Sequence, residues 1–200
     1  MLWPYRSGPV TRAAPARLDG CLPPGAWRLE HHAIDLPGDP ETALAAALGV
    51  HPRDVPVVRV LLAIRGLPHE ARGPVGTLFS TPPFFVLDEE RGRELVFGVV
   101  GPFWRWRRGK VPDRAPRTAA ELRAALAEGR MAAIGNFRAE PRPGGVRLWT
   151  ETWVVAPGAR QRSTFVAYWM LVGPFSAWIR RLLLRAARRA VVRGLASTRR

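Results

Sequence analysis

Residues 27–36 (WRLEHHAIDL) mix apolar and polar side chains between Pro–Gly signals at both ends, which predicts a first β-strand. Asp39-Pro40-Glu41 then supplies a capping side chain, a ring suited to the first helical position and an anion at the positive helix end. A short helix therefore runs through the following Ala/Leu stretch to Leu48. Asp54 is placed to cap a second helix, in which Val57, Val60, Leu61 and Ile64 recur at helical spacing until Gly66-Leu67-Pro68 stops it. Two β-prone arms, 84–88 and 94–100, flank Glu90-Arg91-Gly92 as a hairpin, and a second hairpin joins 131–140 with 146–155 across PRPGG at 141–145. Between the hairpins, Thr118 and Glu121 form a capping box for a short helix that ends near Glu128.

The last element is the longest. Phe165, Tyr168, Val172, Phe175, Ile179, Leu183, Ala186 and Ala190 are spaced by threes and fours, so one apolar stripe follows a helix of about 30 residues. Arg181, Arg185 and Arg188 fall on its opposite side. Pro174 lies inside the pattern, and because the stripe keeps its phase on both sides, it is expected to bend the helix rather than end it. In the second hairpin, pairing Glu140 with Arg147 sets Arg138 opposite Trp149 and Asn136 opposite Glu151. Phe137 and Ala139 then share the other face with Leu148, Thr150, Thr152 and Val154. The first of these faces reads as a solvated charge ladder or, alternatively, as an anchor for a ligand's polar head.

Length and composition narrow the picture. The chain has 200 residues, 47% of them hydrophobic, which is enough for one domain with a sizeable core and excludes a disordered or fibrous chain. Residues 1–26 are Pro-rich and aperiodic and read as an extended leader, with a single domain over 27–196. The lone Cys21 closes no intramolecular disulfide, and no CxxC pair offers a zinc site, so a passive thiol in a reducing compartment is expected. The start holds no secretory apolar run, and the 17 uncharged residues between Arg162 and Arg180 fall short of a membrane span. A cytoplasmic chain follows, with attachment at a membrane periphery left open. The formal charge of +15 is uneven: residues 160–200 carry ten Arg and no acid. That end reads as a solvated helix face, with a surface for anionic membrane or for nucleic acid as the alternatives.

Catalytic and metal motifs are missing from the sequence. None of GxSxG, HExxH, GxxxxGK[ST] or GxGxxG occurs, and the expectation is no catalytic residue, no metal and no cofactor. His31 and His32 are adjacent, so a strand sends them to opposite faces and they cannot share a ligand. The run Phe103-Trp104-Arg105-Trp106-Arg107-Arg108 interleaves aromatic and basic side chains and reads as the closed mouth of a core rimmed by Arg, with a lipid-headgroup edge or a nucleic-acid surface as the alternatives.

The order of elements, together with LLAIRGLP at 61–68, RELVFGVVGPFW at 93–104, Asn136-Phe137, LWTET at 148–152 and Tyr168-Trp169 followed by Gly173-Pro174-Phe175-Ser176, resembles the SRPBCC superfamily. This is the START-like or polyketide-cyclase-like helix-grip group, here a standalone bacterial branch, and the resemblance spans roughly 27–194. It implies an α+β fold in which a curved antiparallel sheet wraps a long C-terminal helix, with two short helices after the first strand. It also implies an apolar cavity for a hydrophobic small molecule such as a lipid or polyketide.

Candidate cavity residues are Phe97, Val99, Phe103, Trp104, Phe137, Thr150, Thr152, Phe165, Tyr168, Val172 and Phe175, and candidate polar anchors are Asn136, Arg138 and Glu151. Gly98, Gly135 and Ala133 are expected to leave room for the guest. Binding without catalysis is the expected function. The alternatives are a cyclase or hydrolase with Glu151, Tyr168 or His32 as acid or base, and a peripheral lipid-transfer module using the basic helix.

Overall fold

The first predicted strand occupies its predicted residues in the computed structural model, which describes residues 16–51, 54–57, 73–101 and 116–198. In chain order the elements are α1 (Arg17–Cys21), β1 (Trp27–Leu36), α2 (Pro40–Leu48), α3 (Val75–Phe79), β2 (Phe84–Glu90), β3 (Glu94–Val100), α4 (Ala119–Ala127), β4 (Ala132–Arg142), β5 (Gly145–Val155) and α5 (Ala159–Thr198). The strands form one antiparallel sheet in the order β1-β5-β4-β3-β2. The protein is thus α+β, with a five-stranded antiparallel open sheet and a long C-terminal helix.

Local chemistry accounts for the element ends. Asp39 accepts from the Thr42 amide at 2.9 Å and Thr118 from the Glu121 amide at 3.1 Å, so both predicted N-caps form. The β4–β5 turn is tighter than predicted: Arg142 pairs with Gly145, leaving only Pro143-Gly144 as loop, with Gly144 at φ 80°. A glycine behind a proline suits that left-handed position.

Helices cover both faces of the sheet. On one, α2, α3 and α5 pack Leu44, Ala47, Phe79, Leu183, Leu184 and Ala187 against Leu95, Phe97, Phe137, Ala139 and Leu148. On the other, α1 and α4 pack Leu18, Cys21, Leu122 and Ala125 against Phe85, Leu87, Val96, Val100, Ala132 and Ile134. A third apolar cluster joins Phe165 and Trp169 at the start of α5 to Leu29, Met131 and Val154.

Several expectations change. Residues 17–21 of the supposedly extended leader form a helical turn, because the Glu94 carboxylate accepts from the Arg17 and Leu18 amides at 2.8 and 3.3 Å and so satisfies the first-turn donors. Helix α3 was not anticipated. The second predicted helix, built on Val60, Leu61 and Ile64, lies outside the described residues, as do Phe103, Trp104 and the aromatic–basic run they begin. Helix α5 spans 40 residues rather than about 30 and continues through Pro174. The ladder of Asn136, Arg138 and Glu151 is buried rather than solvated, since α1 and its own ion pairs close over it.

Candidate functional site

The predicted β4–β5 register is the observed one, with Glu140 opposite Arg147, Arg138 opposite Trp149 and Asn136 opposite Glu151. On the α1 face these residues make a buried network in which, among the described residues, the Trp149 Nε1 group has no hydrogen-bond partner. Glu94 is fully buried and accepts from Asn136 Nδ2 at 2.7 Å, from Arg138 Nη1 at 2.8 Å and from the two α1 amides. Arg138 also donates from Nη2 to Glu140 at 2.7 Å and lies over the Trp149 ring. Burial alone would lower the Arg138 pKa, but its bonds to Glu94 and Glu140 outweigh that and raise it, so it stays charged. Asn136 Oδ1 accepts from the Glu151 amide, and the Glu151 carboxylate meets His31 at 3.1 Å and Trp153 Nε1 at 2.9 Å.

The opposite face holds a second polar cluster that sequence reasoning did not assemble. A β-bulge between Arg28 and Glu30 resets the register of β1 on β5, so that Leu29 joins the α5-side core while Glu30, the next residue, also turns toward α5. Glu30 accepts from Arg180 Nε and Ser176 Oγ, both at 2.8 Å, and from Thr152 Oγ1 at 3.2 Å; its second oxygen meets His32 Nε2 at 3.1 Å. Arg180 Nη1 donates to Thr150 Oγ1. Burial would push the Glu30 carboxyl up, but the Arg180 guanidinium and the bonds from His32 and Ser176 override it and hold the group below the usual carboxylate range.

A His32 ring that donates Nε2–H to Glu30 while neutral would keep Nδ1 as an acceptor. Neither that Nδ1 nor Arg180 Nη2 has a partner among the described residues, and both side chains keep some contact with solvent, 11% exposed for His32 and 14% for Arg180. Because β1 is an edge strand, the cluster lies at the edge of the sheet beside α5. Half-buried Tyr168 and Trp27 lie toward one apolar layer, and half-buried Ile34 and Ile179 toward the other.

Among the predicted cavity residues, Thr150 and Thr152 belong to this cluster. Phe165 is buried beside Trp27, Tyr168 and Trp169, and Tyr168 and Val172 are half-buried on α5. Phe97, Val99 and Phe137 line the α5 side of the sheet, but Phe97 stacks on Phe79 of α3 at 3.7 Å and also on Phe137. The room expected at Gly98 and Gly135 is taken by rings: a Cβ at Gly98 would stand 2.9 Å from Phe85, and one at Gly135 the same distance from Phe97. Phe175 is 47% exposed, because the inward phase of α5 runs Trp169, Gly173, Ser176, Arg180, Leu183 and not through Phe175. The anchors Asn136, Arg138 and Glu151 sit on the face away from α5.

Reasoning from apolar spacing missed Glu30, Ser176 and Arg180, since it excludes polar residues at inward positions; Ser176 and Arg180, one turn apart and in phase with Trp169 and Leu183, were the available signal. A hollow of about 540 Å³ beside Asp35–Pro37 and the β4–β5 turn and another of about 350 Å³ between Pro23, Pro24 and α4 both lie away from this cluster. No group of three or more His, Cys, Asp or Glu among the described residues could hold a metal. No family model, curated protein or solved structure gives a significant match to the chain.

Proposed function

We propose that this domain, read as a helix-grip fold of SRPBCC type, binds an amphipathic small molecule of the lipid or polyketide class at the β1 edge of the sheet–α5 interface. The guest's polar end faces Arg180 and His32. The observation that carries the reading is the pair of hydrogen-bonding atoms without a partner among the described residues, Arg180 Nη2 and His32 Nδ1, beside the aliphatic and aromatic layers packed between the sheet and α5. A carboxylic acid matches both, its carbonyl oxygen accepting from Arg180 Nη2 and its hydroxyl donating to His32 Nδ1, and a carboxylate takes the Arg180 donor alone. Tyr168, Val172 and Ile179 provide apolar wall, at about 25 cal/mol for each Å² of guest surface removed from water.

Native mass spectrometry of the chain purified from its own host tests this. A co-purifying organic mass is expected on the native chain and not on E30Q/R180M; an unliganded chain, or the same mass on both, would refute the reading. The carboxylate–imidazole pair Glu30–His32 also favours a second reading, general-base catalysis on the same guest. Turnover of that guest, abolished by His32→Gln with binding retained, would replace binding with catalysis.

A further inference from the structure

We propose that the outward face of α5 docks on the surface of an anionic lipid bilayer. The inward phase set by Trp169, Ser176, Arg180, Leu183 and Ala187 turns Leu171, Pro174 and Trp178 outward, with Met170 and Phe175 flanking them. Leu171 is 70% exposed, Met170 58%, Phe175 47% and Trp178 45%. These side chains occupy about 12 Å of helix, a concentration of exposed apolar surface that marks an interaction face. One turn further on, the same face becomes Arg181, Arg185 and Arg188, all exposed and without an ion pair among the described residues, with Arg189 and Arg193 close by in the same condition. After Glu151 the chain has no acidic residue.

The complement of this face is apolar over one stretch and negative over the next. A phospholipid leaflet has both, with phosphates for the guanidinium groups and the acyl boundary for Leu171, Phe175 and Trp178. A protein partner fits less well: apart from the Trp178 indole, the apolar stretch has no hydrogen-bonding group with which to fix a register, whereas a bilayer needs none. Indole is also the side chain best suited to a headgroup boundary. No helix among the described residues is long and apolar enough to cross a membrane, so α5 lies along the surface.

Sedimentation of the full chain with vesicles tests the proposal. Binding to phosphatidylcholine vesicles containing phosphatidylglycerol is expected, falling about tenfold or more on pure phosphatidylcholine and again at high salt. L171S/W178S and R181E/R185E/R188E are each expected to lose at least about tenfold in affinity with unchanged circular dichroism and thermal unfolding. E30Q/R180M, which spares these outward residues, is expected to bind vesicles like the wild type, so this docking and the guest site fail separately. Equal vesicle binding by the wild type and L171S/W178S would overturn the proposal, as would no binding to the anionic vesicles. A dimer that L171S/W178S dissolves, without vesicle binding, would assign the face to a second copy of the chain instead.

Discussion

The two faces of the sheet each bury a carboxylate against an arginine, and they differ in what remains unfilled. On the α1 face, Glu94 has four donors, two of them backbone amides of another element, and Arg138 is shared between two carboxylates and the Trp149 ring. On the α5 face, Glu30 is equally well supplied, yet its partners Arg180 and His32 each keep a hydrogen-bonding atom unused at the sheet edge. Among the described residues, Trp149 Nε1 on the α1 face is also without a partner but is sealed in the interior, whereas the unused groups beside Glu30 keep solvent contact at the sheet edge, where they can hold something else. The first face is therefore a clamp for α1, and the second the candidate site.

The largest effect that would break this contrast is at Glu94. Glu94→Ala removes the charge opposite buried Arg138 and both α1 anchors, and is expected to cost about 3–5 kcal/mol, read as a lower urea midpoint with loss of α1 protection in amide exchange. Arg180→Met leaves Glu30 buried without its arginine and is expected to cost about 3 kcal/mol, while E30Q/R180M, which removes both charges, returns most of it. The corresponding E94Q/R138M is expected to recover less, because neutral Gln accepts more weakly from the α1 amides and Glu140 loses its arginine. Equal recovery on both faces would erase the distinction between clamp and site.

Acid sharpens the same comparison. The folded pKa of Glu30 lies below its ordinary 4.5, so its ionised form stabilises the fold above that value, and the contribution disappears as pH falls below 4.5 through the lowered value. Thermal unfolding against pH is expected to show a loss in the wild type that is smaller in E30Q/R180M. The smallest effect is at Cys21, whose thiol is pushed up to about 11 by burial and then by Asp88 and Glu94. Alkylation at pH 8 is expected to be slow in the native chain and clearly faster in Glu94→Gln, where α1 opens more often.

Much of the fold was legible because its signals are local. Capping by Asp39 and Thr118, the limits of β1 and the β4–β5 register follow from turn residues, side-chain oxygens and alternation. The site was legible only in fragments: Thr150 and Thr152 were placed on the correct face, and the two histidines were separated correctly, to Glu151 and Glu30. The rest depends on long-range choices. A one-residue bulge in β1 aims Glu30, and a hydrophobic pattern assigns Phe175 inward where the helix turns Ser176 inward, because partners for Ser176 and Arg180 lie 146 and 150 residues away in sequence. Helix α1 was hidden for the same reason, its first-turn donors being satisfied by Glu94 rather than by a neighbour.

The most direct measurement is the affinity of a long-chain fatty acid, used as a carboxylate probe and followed by isothermal titration calorimetry, for the wild-type chain and for E30Q/R180M. Measurable binding that weakens at least about tenfold in the double variant, with the fold intact by circular dichroism, is the result expected if Arg180 receives the head group. Equal affinities, or no heat of binding to the wild-type chain, would contradict it.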